Sequence, residues 1–150
     1  MAAGEARGVI RLERVIDALP AELDALRAEA RANGHGMLDT LAAEWASGAT
    51  RFDRPGEMLV AAFIDGALAG IGGVTLEPAI PGTLRMRRFY VALAYRRHGV
   101  GRALAAALLD EARQQGRAVT CNAAAGSERF WEALGFAPDR CDGHTHLLAR

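Results

Sequence analysis

Apolar residues recur along this chain in two rhythms, and the switches between them divide it into elements. The first run, VIRLERV from Val9 to Val15, alternates apolar and polar residues as an edge strand would. Pro20 then opens a stretch that puts Leu23, Leu26 and Ala30 on one helical face, closed by Asn33 and Gly34. A second helix is predicted from Met37 to Ala46, with Leu38, Leu41, Ala42 and Trp45 on one stripe and Gly48 behind it. The segment EMLVAAFIDGALAGIGGVTLEP holds two strand runs around Asp65-Gly66, the strongest short hairpin signal in the chain. Its glycine-rich AGIGGV stretch lies within a strand, which points to a bulge or a close backbone approach. A third strand, Leu84 to Ala92, leads into a helix from Gly101 to Gln115 that buries Leu104, Leu108 and Ala112 and stops at Gly116. RAVTCN reads as a further strand, SERFWEAL as a short helix capped by Ser127, and HTHLLA as a final strand. The order β-α-α-β-β-β-α-β-α-β-β predicts one α+β domain over residues 1–150, with a mostly antiparallel sheet flanked by helices.

Composition narrows the class. The chain has 150 residues, 51% of them apolar, with 18 basic and 18 acidic residues in balance. A disordered chain or a wholesale nucleic-acid binder is therefore not expected. No apolar run approaches the roughly 20 residues of a membrane helix, and Glu5 and Arg7 stand where a signal peptide needs its apolar region. A cytoplasmic setting is expected, with Cys121 and Cys141 as thiols rather than a bridge. The neutral total hides a local imbalance. Every basic residue is arginine, and Arg85, Arg87, Arg88, Arg96, Arg97 and Arg102 fall in one window without an acid. Guanidinium groups grip phosphate through paired donors, so the cluster suits a phosphorylated ligand; the plainer alternative is a solvated strand face.

Within that window RRHGVGRALAAALL runs from Arg96 to Leu109, directly where a strand gives way to a helix. A helix start carries unpaired amide N–H groups and about half a positive charge, which together make an anion pocket. Gly99 and Gly101 remove the Cβ atoms that would hold a diphosphate away, and Arg96, Arg97 and Arg102 surround the pocket with charge. A dinucleotide fingerprint is weakened because Leu104 stands where its third glycine belongs, and a Walker A loop because the chain has no lysine.

The segment RRFYVALAYRRHGVGRALAAALLDEAR resembles the acetyl-CoA-binding region of the GNAT superfamily of N-acetyltransferases, whose pattern R/Q-x-x-G-x-G/A is met by Arg96, Gly99 and Gly101. FWEALGF, Phe130 to Phe136, resembles the second signature of the same superfamily, with Trp131 where tyrosine is usual. The resemblance implies a GNAT-like fold and acetyl-CoA as co-substrate, without a metal. It also implies a small-molecule or peptide amine as acceptor, no nucleic-acid or membrane partner, and room for a homodimer. It places the pantetheine arm along the backbone at Val91, between strands that part near Val91 and Asn122. The pyrophosphate falls on the amides of Arg97, His98, Gly99, Val100, Gly101 and Arg102, and Trp131 lies beside the thiol end. Acceptor contacts are implied around Met37 to Trp45 and Asp139 to His144.

Proton handling is less defined. An indole donates a hydrogen bond but supplies no proton near neutral pH, so Trp131 does not replace the usual acid. Glu77 is the base candidate by family analogy, against the alternative of a surface turn glutamate before Pro78. His144 and His146 share a strand face, but two imidazoles without a third ligand make no metal site. Cys121 reads as a small buried residue, and Asp139 and Asp142 either attract a cationic substrate or are solvated turn acids. Three readings stay open: an acetyl-CoA-dependent amine acetyltransferase, a non-catalytic acyl-CoA-binding or regulatory domain, and an unrelated phosphate-binding module.

Overall fold

Residues 8–141 and 143–150 are described by the computed structural model, so expectations resting on Glu5, Arg7 and Asp142 lie outside the described residues. The elements run β1 (Ile10–Arg14), α1 (Leu23–Ala32), α2 (Met37–Ser47), β2 (Met58–Ile64), β3 (Ala67–Leu76), β4 (Leu84–Val91), α3 (Val100–Gln114), β5 (Val119–Cys121), α4 (Glu128–Ala133), β6 (Ala137–Cys141) and β7 (His144–Leu148). This is the predicted order. The strands form one sheet, β1-β2-β3-β4-β5-β7-β6, and every neighbouring pair is antiparallel except β4 and β5.

The sheet is covered on both faces, and β2 shows why its sequence lacks alternation. Every residue of MLVAAFI is buried. Leu59, Ala61 and Phe63 join Leu26, Leu38, Leu41 and Trp45 of α1 and α2. Val60, Ala62 and Ile64 join Val100, Leu104 and Leu108 of α3. A strand with helices on both sides reads as a continuous apolar run. The pair α1 and α2 is pinned by Asp39, which accepts from Arg27 Nε at 3.0 Å and from Arg31 Nε at 2.8 Å. These contacts, the Arg31 hydrogen bond first, hold the Asp39 carboxyl down to about 2.

Local chemistry explains two departures from expectation at helix starts. Helix α1 begins at Leu23 rather than Pro20, with the Leu23 amide donating to the Pro20 carbonyl in a preceding turn. Ser127 does not cap α4 through its side chain; its hydroxyl donates to the Ala124 carbonyl at 2.7 Å, closing the turn before the helix instead.

The glycines of AGIGGV answer to close approach. A Cβ at Gly72 would sit 2.6 Å from the Phe89 ring, and one at Gly73 2.6 Å from the Phe52 ring. Opposite them the β3–β4 register slips: Ile71 faces Tyr90 while Gly73 faces Arg87, leaving Arg88 and Phe89 against Gly72. The extra residue is a bulge, and Arg88 takes a φ of +55°. A left-handed conformation at a residue with Cβ costs about 1–2 kcal/mol.

Ahead of the bulge, after Arg85, β4 parts from β5. Their parallel pairing covers only Leu84 with Val119 and Arg85 with Thr120. From there the sheet opens.

Candidate active site

The opening between β4 and β5 is a cleft of about 950 Å³. One wall is β4 from Arg85 to Val91, the other Cys121, Asn122 and the segment from Ala124 to Ser127, with Phe130 and Trp131 of α4 beside it. His35, from the connection between α1 and α2, and Met37, the first residue of α2, close one side. At its mouth lie Tyr95, Arg96, Arg97 and the start of α3.

That helix start leaves backbone donors without intrahelical partners. Its N-cap, Gly99, has a φ of +84°, a conformation that glycine adopts without strain, and no side chain caps it. The Gly99 carbonyl takes the Ala103 amide at 3.0 Å, so the amides of Val100, Gly101 and Arg102 precede the first intrahelical bond. Arg97 is also left-handed, with a φ of +68°. A Cβ on Gly101 would stand 3.3 Å from the Phe130 ring and 3.5 Å from Val91. The bare glycine therefore lets Phe130 approach the start of α3 closely.

Deeper in the cleft an aromatic cluster supports the wall. Trp131 is 5% exposed and packs edge-on to Phe89 and Phe130, both at 4.9 Å between ring centroids, and to Phe136 at 5.5 Å. Cys121 lines the same wall, and burial pushes its thiol up to about 12, so it is no nucleophile at neutral pH. Tyr90 donates to Glu29 Oε2 at 2.7 Å; burial, followed by that bond, pushes its hydroxyl up to about 12.

A sheet of this order, parted between its two parallel strands, with a glycine-bearing helix start at the mouth, can now be compared with known proteins. The family described as "Acetyltransferase (GNAT) domain" matches residues 28–144. The chain belongs to the GNAT acetyltransferase family. Among solved structures, a candidate acetyltransferase of Exiguobacterium sp. 255-15 is 23% identical, covers 94% of this chain and 93% of its own, and superimposes with a TM-score of 0.86. A candidate GNAT-family acetyltransferase of Desulfovibrio desulfuricans is 23% identical, with 88% and 87% coverage and a TM-score of 0.68. An acetyltransferase of Streptococcus agalactiae is 14% identical, with 92% and 95% coverage and a TM-score of 0.69. At these identities the likeness is one of fold. No curated protein matches the sequence.

Members of the GNAT family generally use acetyl-CoA, and most of the residues expected to meet it lie together here. Val91, Arg96, Arg97, Gly99, Val100, Gly101, Arg102, Asn122 and Trp131 all line the cleft. His98 does not; its ring stands 6.3 Å from that of Tyr95 on the exposed side of the turn. Arg96 is folded inward, its Nε donating to the Val91 carbonyl at 3.0 Å and its guanidinium 5.3 Å from the Tyr90 ring.

Glu77 is not the surface turn glutamate that stood as the alternative to a base. It is 6% exposed rather than at the surface, and it is not among the cleft-lining residues. Its Oε1 accepts from the Thr120 hydroxyl at 3.1 Å and its Oε2 from the Ala79 amide at 3.2 Å.

The histidines of β7 each have their own carboxylate. His146 Nε2 is 2.9 Å from Glu132 Oε2, and His144 Nε2 is 2.9 Å from Asp139 Oδ2. A third donor, which strand spacing alone does not supply, comes from the β6–β7 hairpin, because Cys141 Sγ lies 3.2 Å from His144 Nε2. Donor atoms of Asp139, Cys141 and His144 fall within 4.8 Å of one another, a set that could hold a borderline-soft cation.

Sequence reasoning missed His35 and Phe89 as cleft residues. His35, 6.2 Å from the Tyr90 ring, sits in a loop with no motif. Phe89 carried one indirect signal: the two glycines that face its strand.

Proposed function

We propose that this protein is an acetyl-CoA-dependent N-acetyltransferase that moves the acetyl group directly to an amine of a small molecule or of a peptide or protein. The observation that supports this best is the cleft itself: two parallel strands part and lead to an uncapped helix start ringed by Arg96, Arg97 and Arg102. The residues fit the co-substrate. Amides of Val100, Gly101 and Arg102 and the nearby guanidiniums suit a pyrophosphate, and bare Gly101 leaves it room. Beyond Arg85 the edge of β4 has no strand partner on the cleft side, so its backbone can pair with an extended arm.

The thioester supplies an activated acyl group: an N–C bond forms, the C–S bond breaks, the amine gives up one proton and the departing thiolate takes one. The chain's contribution is chiefly placement. Parted strands let the amine approach from the α1–α2 side, and the Phe89, Phe130 and Trp131 rings keep water from the reacting end. A thiol of ordinary pKa near 8.5 leaves tolerably as thiolate, so an acid at position 131 is dispensable. The amine must arrive neutral.

The second reading, a non-catalytic acyl-CoA binder, draws on Trp131 and on Glu77 lying off the cleft. Thiol release from acetyl-CoA in a panel of amines separates the two. Release that depends on the amine supports the enzyme, whereas tight acetyl-CoA binding without release to any amine supports the binder.

Trp131→Phe is expected to keep at least half of the turnover, because packing survives and no proton donor is lost. It should cost on the order of 1 kcal/mol of stability through lost apolar contact. Steady-state kinetics beside thermal melting checks this. Abolished turnover with intact acetyl-CoA affinity and melting would make the indole N–H essential.

A further inference from the structure

The six arginines that line the cleft fall into two groups, and pyrophosphate binding uses only one. Arg96, Arg97 and Arg102 stand at the α3 start, whereas Arg85, Arg87 and Arg88 belong to β4, at the other end of the opening. Among the described residues no aspartate or glutamate lines the cleft. A pantetheine arm carries no charge, so it leaves the β4 group unanswered.

Each member of that group is directed toward the acceptor side. Arg88 reaches α2, with one Nη 2.7 Å from Glu44 Oε1. Arg87 reaches β3, where it meets the Thr75 hydroxyl, 3.5 Å away. Arg85 extends toward the β6–β7 turn, since a Cβ on Gly143 would be 3.7 Å from its Nη1. Met86, between them, turns the other way into the α3-side core.

Their charge is only partly compensated: Glu44 pairs with Arg88 alone, and Glu44 and Glu77 act on Arg87 only through space, without a direct contact. Burial, and then the charges of Arg88 and Arg85, push the Arg87 pKa down. The Arg88 Nε is buried and has no hydrogen-bond partner. A buried donor left unmade is costly, and here it belongs to a residue held at a left-handed φ, a combination found where backbone strain serves a site.

We propose that the acceptor is a small amine carrying its own oxyanion, a carboxylate or a phosphate, held by Arg85, Arg87 and the free Nε of Arg88 while its nitrogen points along the cleft. This assignment rests on the transferase reading and names its substrate class. A paired guanidinium surface matches an oxyanion in geometry and charge. The same field disfavours polyamines and other polycations.

The test is a thiol-release screen with the twenty L-amino acids and O-phosphoethanolamine set against amino-acid methyl esters, ethanolamine and spermidine. At least one oxyanion-bearing amine is expected to exceed its ester or dephosphorylated counterpart by about tenfold or more in kcat/KM. Comparison of the amino-acid and phosphoethanolamine arms tells carboxylate from phosphate. Arg87→Leu should raise KM for the preferred amine about tenfold, with the acetyl-CoA Kd and the melting temperature unchanged. Arg87→Glu should favour the esters. Calorimetric titration of the preferred amine's N-acetyl product onto the free protein, weakened in Arg87→Leu, reads the site without turnover. A preference for esters or spermidine, no acceptance of any oxyanion-bearing amine, or a KM indifferent to Arg87→Leu overturns the assignment while acetyl-CoA binding still stands. Absence of acetyl-CoA binding in wild type defeats the transferase reading and this site with it.

Discussion

Replacing Gly101 with valine is expected to weaken acetyl-CoA binding by about a hundredfold. A β-branched side chain there would crowd the Phe130 ring, 3.3 Å from the Cβ position, and intrude on the amides at the α3 start. Two charge-assisted hydrogen bonds at roughly 1.5 kcal/mol each make about 3 kcal/mol, which corresponds to that factor. The fold should persist, because Phe130 is only half-buried and can yield by a few tenths of an ångström. Calorimetry on the folded variant, with circular dichroism as control, decides the matter, and an unchanged Kd moves the pyrophosphate elsewhere. Gly101→Ala is the milder companion and should fall between.

The rate is expected to climb with pH through the neutral range. An alkylamine of pKa near 10 is only about one part in a thousand neutral at pH 7, and each pH unit below the pKa removes about tenfold of the reactive form. Among the described cleft-lining residues, Tyr90 and Cys121 are both pushed up to about 12 and stay protonated, so neither accepts a proton. Glu77 has both oxygens engaged outside the lining. From pH 6 to 9 kcat/KM should therefore rise by roughly a thousandfold, in wild type and in Glu77→Gln alike. A plateau near pH 7 that disappears in Glu77→Gln would establish that carboxylate as a base. The same plateau lost in His35→Gln would assign the role to the imidazole in the α1–α2 connection.

Features set by neighbours along the chain are legible in the sequence. The Asp65-Gly66 turn, the helix breaks at Asn33, Gly48 and Gly116, and the glycine-marked start of α3 all follow from local backbone preferences. So do the cleft-lining residues on either side of that start, because one strand and one helix adjoining in the chain carry them. The motif could not sort its arginines. Arg85 to Arg102 is one basic window in sequence, yet the bulge at Arg88 and the turn after Val91 send its two halves to opposite ends of the cleft. Glu77 was opaque for a similar reason: its burial depends on Thr120, 43 positions away. The Asp139, Cys141 and His144 grouping hid behind strand alternation, which pairs His144 with His146 and says nothing of how a hairpin folds back. Each of these depends on contacts that close only when distant segments meet.

The short join between β4 and β5 has a mechanical side. Two register pairs link the strands, reinforced by the Leu84 amide on the Ala118 carbonyl at 2.9 Å and by the Glu77 bridge to Thr120. The neighbouring ladder of β3 and β4 extends from Leu76 with Leu84 to Gly70 with Val91. Tension applied across the sheet would thus concentrate at this one seam, which joins the four-stranded N-terminal part to the β5-β7-β6 part and leaves the apolar face of α3 and the Phe89 contacts with Phe130 and Trp131 to keep them together. The parting that admits a ligand is also the line along which the molecule would tear.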